Sequence, residues 1–225
     1  MQPDETTCGP TCLHAVYSYY GMPVQLNEII RQVKSLKEGG TLAVLLGINA
    51  LENGFQAQIF SYNLRVFDPT WSKLKKNALI DKLSASLKYH KKEKIRIAME
   101  SYLKFLKLGG EIHFEDLSSR LITGFIRKKN PILTGLSATY LYQSPREFGP
   151  NCEDDDIKGQ PTGHFVVLYD YDMTTRKVHL ADPWHKNPMD TSQYYKVGMQ
   201  RLINSILLGV LTYDANLLIL EPPHA

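Results

Sequence analysis

The residues of this chain best suited to covalent chemistry lie at its start, in Gln2-Pro-Asp-Glu-Thr-Thr-Cys8-Gly9-Pro10-Thr11-Cys12. Thr7 is placed to cap a helix whose first turn is Cys8 to Pro10, a position where proline is tolerated. A helix start presents free backbone N–H groups and positive partial charge, which favour a thiolate over a thiol. Such a setting lowers a cysteine pKa from about 8.5 to roughly 3.5–7.5. Gln2, six residues upstream, has an amide that can donate to the oxyanion formed when a thiolate attacks a carbonyl. The ordinary fate of a free cysteine is a small buried apolar residue. Cys8 stands at the helix start, apart from the stripe Cys12, Leu13, Val16, Tyr17 and Tyr20, and this favours the chemical reading.

Such a nucleophile needs a base and a group to orient it. His14 points to another side of the first helix, His90 and His113 have no evident orienting group, and His224 is in the terminal tail. His164 follows Gly163 and leads into the β-prone run Phe165 to Tyr171, so it sits at a strand edge. The next strand, Lys177 to Ala181, ends in Asp182-Pro183-Trp184. In a hairpin turning near 173–174, residues 164 and 182 fall at the same open end. Asp182 can therefore accept a hydrogen bond from the His164 ring and hold its tautomer. His179 inside that strand is expected to pack or face solvent, and His185 is the reserve base. A histidine before a strand is often only a boundary, and Asp-Pro is a common turn. Gln2, Cys8, His164 and Asp182 together, each in its structural context, are far more specific than any one alone.

The elements that must hold these residues follow from periodicity. The first helix stops at Gly21. Leu26, Ile29, Ile30 and Val33 mark a second, and Thr41 is placed to cap a third that ends at Asn53-Gly54. Residues 55–62 read as a strand. Residues 70–110 form a helical insertion, with stripes at Leu79, Ile80, Leu83 and Leu87 and at Ile95, Ala98, Met99, Tyr102 and Leu106. A further helix spans 114–127. Then the period changes: 132–142, 165–171, 177–181 and 217–220 read as strands, with a long loop at 143–162 containing Glu153 to Asp156. Helices first and sheet second predict an α+β fold. The expected organisation is a single domain over 1–225, comprising a helical lobe (1–69), the insertion (70–110) and a β-sheet lobe (111–225).

Composition agrees with one core: 225 residues, 43% hydrophobic and 22% charged. A net charge of +3 is too small to imply nucleic acid. No apolar run approaches the roughly 18 residues of a membrane span, and the N-terminus lacks a secretory pattern. Cys8, Cys12 and Cys152 are too few for a disulfide framework and lack metal-site spacing, so a reduced, cytoplasmic setting and no cofactor or metal are expected. Between residues 73 and 107 there are eleven Lys/Arg against three Asp/Glu, a net of +8 that leaves −5 elsewhere. This face is either the solvated side of a helix pair or a dock for an acidic partner.

Gln-x5-Cys-Gly at a helix start, Gly-His-Phe-Val-Val-Leu and Asp-Pro together resemble the papain-like bacteriocin-processing peptidases, the double-glycine-leader peptidase domains of certain ABC exporters. The resemblance covers 1–62 and 130–183, and excludes the insertion and the 143–162 loop. Neither transporter segments nor GxxxxGK[ST] accompany it here, so it is to a stand-alone peptidase domain. It implies a papain-like fold in which Gln2 serves the oxyanion hole, Cys8 is the nucleophile, His164 the base and Asp182 its orienter. The expected function is a cysteine peptidase or amide hydrolase acting on a peptide or protein. The rivals are a silent papain-like module that binds a peptide, and an acyltransferase with the same triad.

Overall fold

The computed structural model describes residues 1–4, 6–36, 39–212 and 215–223; His224 lies outside them. In chain order the elements are α1 (Cys8–Tyr19), α2 (Leu26–Gln32), α3 (Ala43–Glu52), β1 (Gln56–Ser61), α4 (Lys76–Leu87), α5 (Glu93–Lys107) and β2 (Glu111–His113). There follow α6 (Ser119–Arg127), β3 (Ile132–Ser137), α7 (Ala138–Tyr142), β4 (Glu147–Phe148), β5 (Glu153–Asp154), β6 (Gly163–Asp172) and β7 (Lys177–Ala181). The chain ends with β8 (Tyr194–Gly198), α8 (Met199–Leu208) and β9 (Asn216–Glu221). Seven strands form one sheet in the order β2-β1-β9-β3-β6-β7-β8. Only β1 and β2 pair in parallel; the other pairs are antiparallel. The α+β architecture expected from the sequence is thus present, with a sheet that also recruits β1 from the helical N-terminal region.

Both faces of the sheet are covered, which explains why its central strands are almost continuously apolar. Phe165 and Val167 of β6, with Leu218 and Leu220 of β9, face helices α1 to α5. Their neighbours Val166, Leu168, Leu217 and Ile219 face α6, α7 and α8. On the first face, α1 buries Leu13, Val16 and Tyr17, each contributing about 1.5–3 kcal/mol by burial. Gly21, at φ +74°, ends α1: its N–H donates to Ser18 O (3.0 Å) and that of Met22 to Tyr17 O (2.9 Å). The insertion joins the same core through Leu79, Leu83, Met99, Tyr102 and Phe105. Part of its positive charge is used internally, in Lys104–Glu52 (2.6 Å) and Arg96–Glu100 (3.3 Å).

Several expectations change in detail. Residues 132–142 divide into β3 and the short helix α7, because the Ser137 side chain accepts from the Tyr140 N–H and caps a helical turn. Gln143, at φ 57°, then closes that turn. The expected helix over 114–127 starts at Ser119, where Ser118 caps it, and is preceded by β2. Thr41 does not cap α3; its hydroxyl donates to Lys34 O (3.0 Å), and α3 begins after Leu42. The 143–162 loop is folded. Asp155 Oδ1 accepts from the N–H groups of Ile157 and Lys158 (both 2.9 Å), and Glu147 and Gln160 exchange backbone bonds.

Candidate active site

The site is assembled where the N-terminus of α1 meets the start of β6. Thr11 N–H makes the first helical bond, to Thr7 O (3.0 Å), so the N–H groups of Cys8 and Gly9 have no partner within the helix, and Pro10 has none to satisfy. Thr7 precedes α1 without capping it by side chain; its hydroxyl donates to Asp4 O (3.1 Å) instead. Gly9 allows the close approach of α1 to β6. A Cβ there would lie 2.6 Å from Thr41 Cγ2 and 3.3 Å from Phe165 Cδ2. Cys8 thereby comes to rest beside the strand that begins Gly163-His164.

Cys8 is 8% exposed, and it is close enough to the His164 ring to help raise that ring's pKa. Cys12, one turn on, is different. It is buried, its thiol donates to Phe165 O (3.3 Å), and burial foremost pushes its pKa well up. Of the two helix cysteines, Cys8 is the one at the helix start and near His164.

His164 Nε2 lies 2.8 Å from Asp182 Oδ1. The pairing that brings them together is offset from the sequence expectation. Val167 faces Ala181 and Leu168 faces Leu180, and a bulge lies between Leu168 and Asp170. Asp182 therefore sits opposite Val166 rather than His164, and reaches diagonally along the same face. Because an ionised carboxylate only accepts, the Nε2 of His164 carries the shared proton, and Nδ1 is the nitrogen left for Cys8.

Asp182 is 2% exposed, and four donors converge on it. Oδ1 accepts from His164 and from the Trp184 N–H (2.9 Å). Oδ2 accepts from the hydroxyls of Tyr142 and Tyr195, both at 2.7 Å. Burial alone raises its pKa, but these bonds, led by that from His164, hold it below the ordinary carboxylate value. For His164 burial favours the neutral ring, yet the bonds and charges of Asp182 and Cys8 outweigh it and raise the pKa to about 10.

Gln2 is buried and is held by its backbone, whose N–H donates to Pro183 O (3.0 Å). Its side-chain Oε1 finds no hydrogen-bond partner among the described residues. Gln193 Nε2 donates to the carbonyls of both Asp182 (2.9 Å) and Pro183 (2.8 Å). One turn thus carries Asp182 and anchors Gln2.

The other histidines lie elsewhere. His14 is half-buried on α1, and His90 separates α4 from α5. His113 stacks on Phe60 at 4.8 Å, and His179 packs edge-on to Tyr169. The reserve candidate, His185, is exposed, while the Asp182 carboxylate is engaged by His164. Sequence reasoning missed Tyr142, Tyr195 and Gln193. Tyr142 was hidden in the supposed strand 132–142. The alternation of Tyr194 to Gly198 was a readable signal for β8 and for an inward Tyr195. Nothing in the sequence marked Gln193.

A family model described as the Peptidase_C39-like family matches residues 1–205. The chain belongs to the Peptidase_C39-like family. No curated protein matches it. Among solved structures, one assigned as a C39-like peptidase from Bacillus anthracis is 13% identical. That alignment covers 98% of this chain and 91% of the other, with a TM-score of 0.48. Among the described residues of this family member, no cluster of three or more His, Cys, Asp or Glu side chains is placed to hold a metal ion. No helix among them is long and apolar enough to cross a membrane.

Proposed function

We propose that this member of the Peptidase_C39-like family is a cysteine peptidase or amide hydrolase that uses Cys8, His164, Asp182 and Gln2 on a peptide or protein substrate. The observation that carries the reading is the 2.8 Å bond between His164 and the buried Asp182, at the strand start near Cys8 of α1. A ring raised to about 10 beside Asp182 supports an imidazolium that can act as acid toward a leaving amine.

In the reaction the Cys8 sulfur forms a bond to the substrate carbonyl carbon. The carbonyl oxygen becomes an oxyanion, held by the Gln2 amide and a free N–H at the start of α1. The C–N bond then breaks as His164 gives its Nδ1 proton to the leaving amine. Water adds next, with the neutral ring taking its proton; the C–S bond breaks, and the acid and the thiolate are released. Asp182 keeps the ring in the required tautomer throughout.

Cys8→Ala is expected to abolish both hydrolysis of a peptide library and labelling by a peptide-derived electrophile. Hydrolysis that persists in that variant would sink the assignment.

A further inference from the structure

Of the four donors around Asp182, one is the histidine and two are phenols. We infer that Tyr142 and Tyr195 are positioning residues, whose two hydroxyls fix the Asp182 carboxylate so that only Oδ1 faces His164. This inference rests on the cysteine-peptidase reading above.

The geometry divides the carboxylate into two working halves. Oδ1 takes the ring and the Trp184 N–H; Oδ2 takes both phenols at 2.7 Å. Rotation of the carboxylate would break all four bonds, so its plane is locked. Both phenols are reliable donors, since burial foremost, together with the Asp182 charge, pushes their own pKa values far up. They also come from separate elements, α7 and β8, which clamp the carboxylate between them.

The groups facing Asp182 are few. They are His164 from β6, the two tyrosines, the Trp184 N–H from the β7–β8 turn, and Cys12 of α1, which is close enough to feel its charge. Loss of one phenol leaves a buried carboxylate oxygen with a single donor, and loss of both leaves it with none. The expected consequence is a carboxylate that protonates more readily and turns away from the ring. The His164 ring would then no longer be held in place toward Cys8.

The test uses the full chain with Cys152→Ser as background, because Cys152 is exposed. The rate of Cys8 alkylation by iodoacetamide is measured across pH, with Cys8→Ala as blank. Tyr142→Phe and Tyr195→Phe are each expected to slow alkylation about tenfold near the acid limb and to move that limb upward by about one pH unit. The double variant is expected to lose about 100-fold. A tyrosine that merely fills space would lower the thermal midpoint without moving the pH profile. His164→Ala is run beside them. If its profile matches the parent's, the peptidase reading fails whatever the tyrosines do. If it differs while both tyrosine variants match the parent, the positioning role is overturned. The single variants carry that decision if the double variant loses its cooperative thermal transition.

Discussion

Asp182 receives four donors within 2.7–2.9 Å, whereas the amide oxygen of Gln2, also buried, meets none among the described residues. The two ends of the candidate site are thus built to opposite rules. At the Asp182 end every acceptor position is used, as buried charge requires. At the Gln2 end a polar group is kept in place by its backbone while its Oε1 meets no donor among the described residues. Hydrogen bonds already made hold a geometry; at the Gln2 end Oε1 can only accept, so a bond to a developing oxyanion has to come from Nε2 of the same amide.

This contrast is best attacked first at the saturated end. Asp182→Asn is expected to lower kcat/KM about 10⁴-fold, as loss of the orienting carboxylate does in a triad. It should also destabilise the fold by about 1–3 kcal/mol, because an amide group now meets donors aimed at a carboxylate. Peptide-library turnover and urea denaturation measure the two effects. Gln2→Ala is expected to lower kcat by about 10²–10³, with almost no change in the urea midpoint. A large stability loss in that variant would erase the distinction between the two ends.

Stability against pH sharpens the same comparison. His164 has a folded value near 10, above its ordinary 6.5, so its contribution is complete below 6.5 and is lost as pH rises toward 10. Asp182 is held below its ordinary 3.8, so its contribution is present above 3.8 and is lost as pH falls through its folded value. Together they support the fold best between these limits. Urea unfolding of the parent should therefore weaken between pH 6.5 and 10, and His164→Gln should flatten that slope. A smaller effect is expected at the approach of α1 to the sheet. Gly9→Ala forces a Cβ against the buried Thr41 and should cost about 1–3 kcal/mol, read as a lower urea midpoint.

Much of this arrangement was legible from residue types. The first helix and its Gly21 stop, the strand at 56–61 and the hairpin of β6 and β7 each carry a local signal of period or punctuation. Gln2, Cys8, His164 and Asp182 announce themselves by chemistry and by their places at element ends. The exact partnering was less visible. The bulge next to Leu168 shifts Asp182 from opposite Val167 to opposite Val166, and so onto the face of His164, and no residue in the run Phe165 to Tyr171 signals it. Tyr142 was obscured because Ala138 to Tyr142 is as β-prone as it is helical, and the Ser137 cap decides the matter. Gln193 acts through contacts with residues 182 and 183 made only when β8 returns along β7.

The neck of the 143–162 loop has a practical consequence. Ala138 N–H donates to Thr162 O (2.8 Å), and Thr162 N–H donates to Thr139 Oγ1 (2.9 Å). These bonds join the two sides of the loop at its base, between α7 and β6, so the chain beyond them is tied off from the sheet. Replacing residues 144–161 with a short turn is expected to leave the iodoacetamide reactivity of Cys8 unchanged, because loop length adds little to closure cost. On that outcome, new surface segments can be grafted between α7 and β6, each varied without redesign of the sheet beneath it.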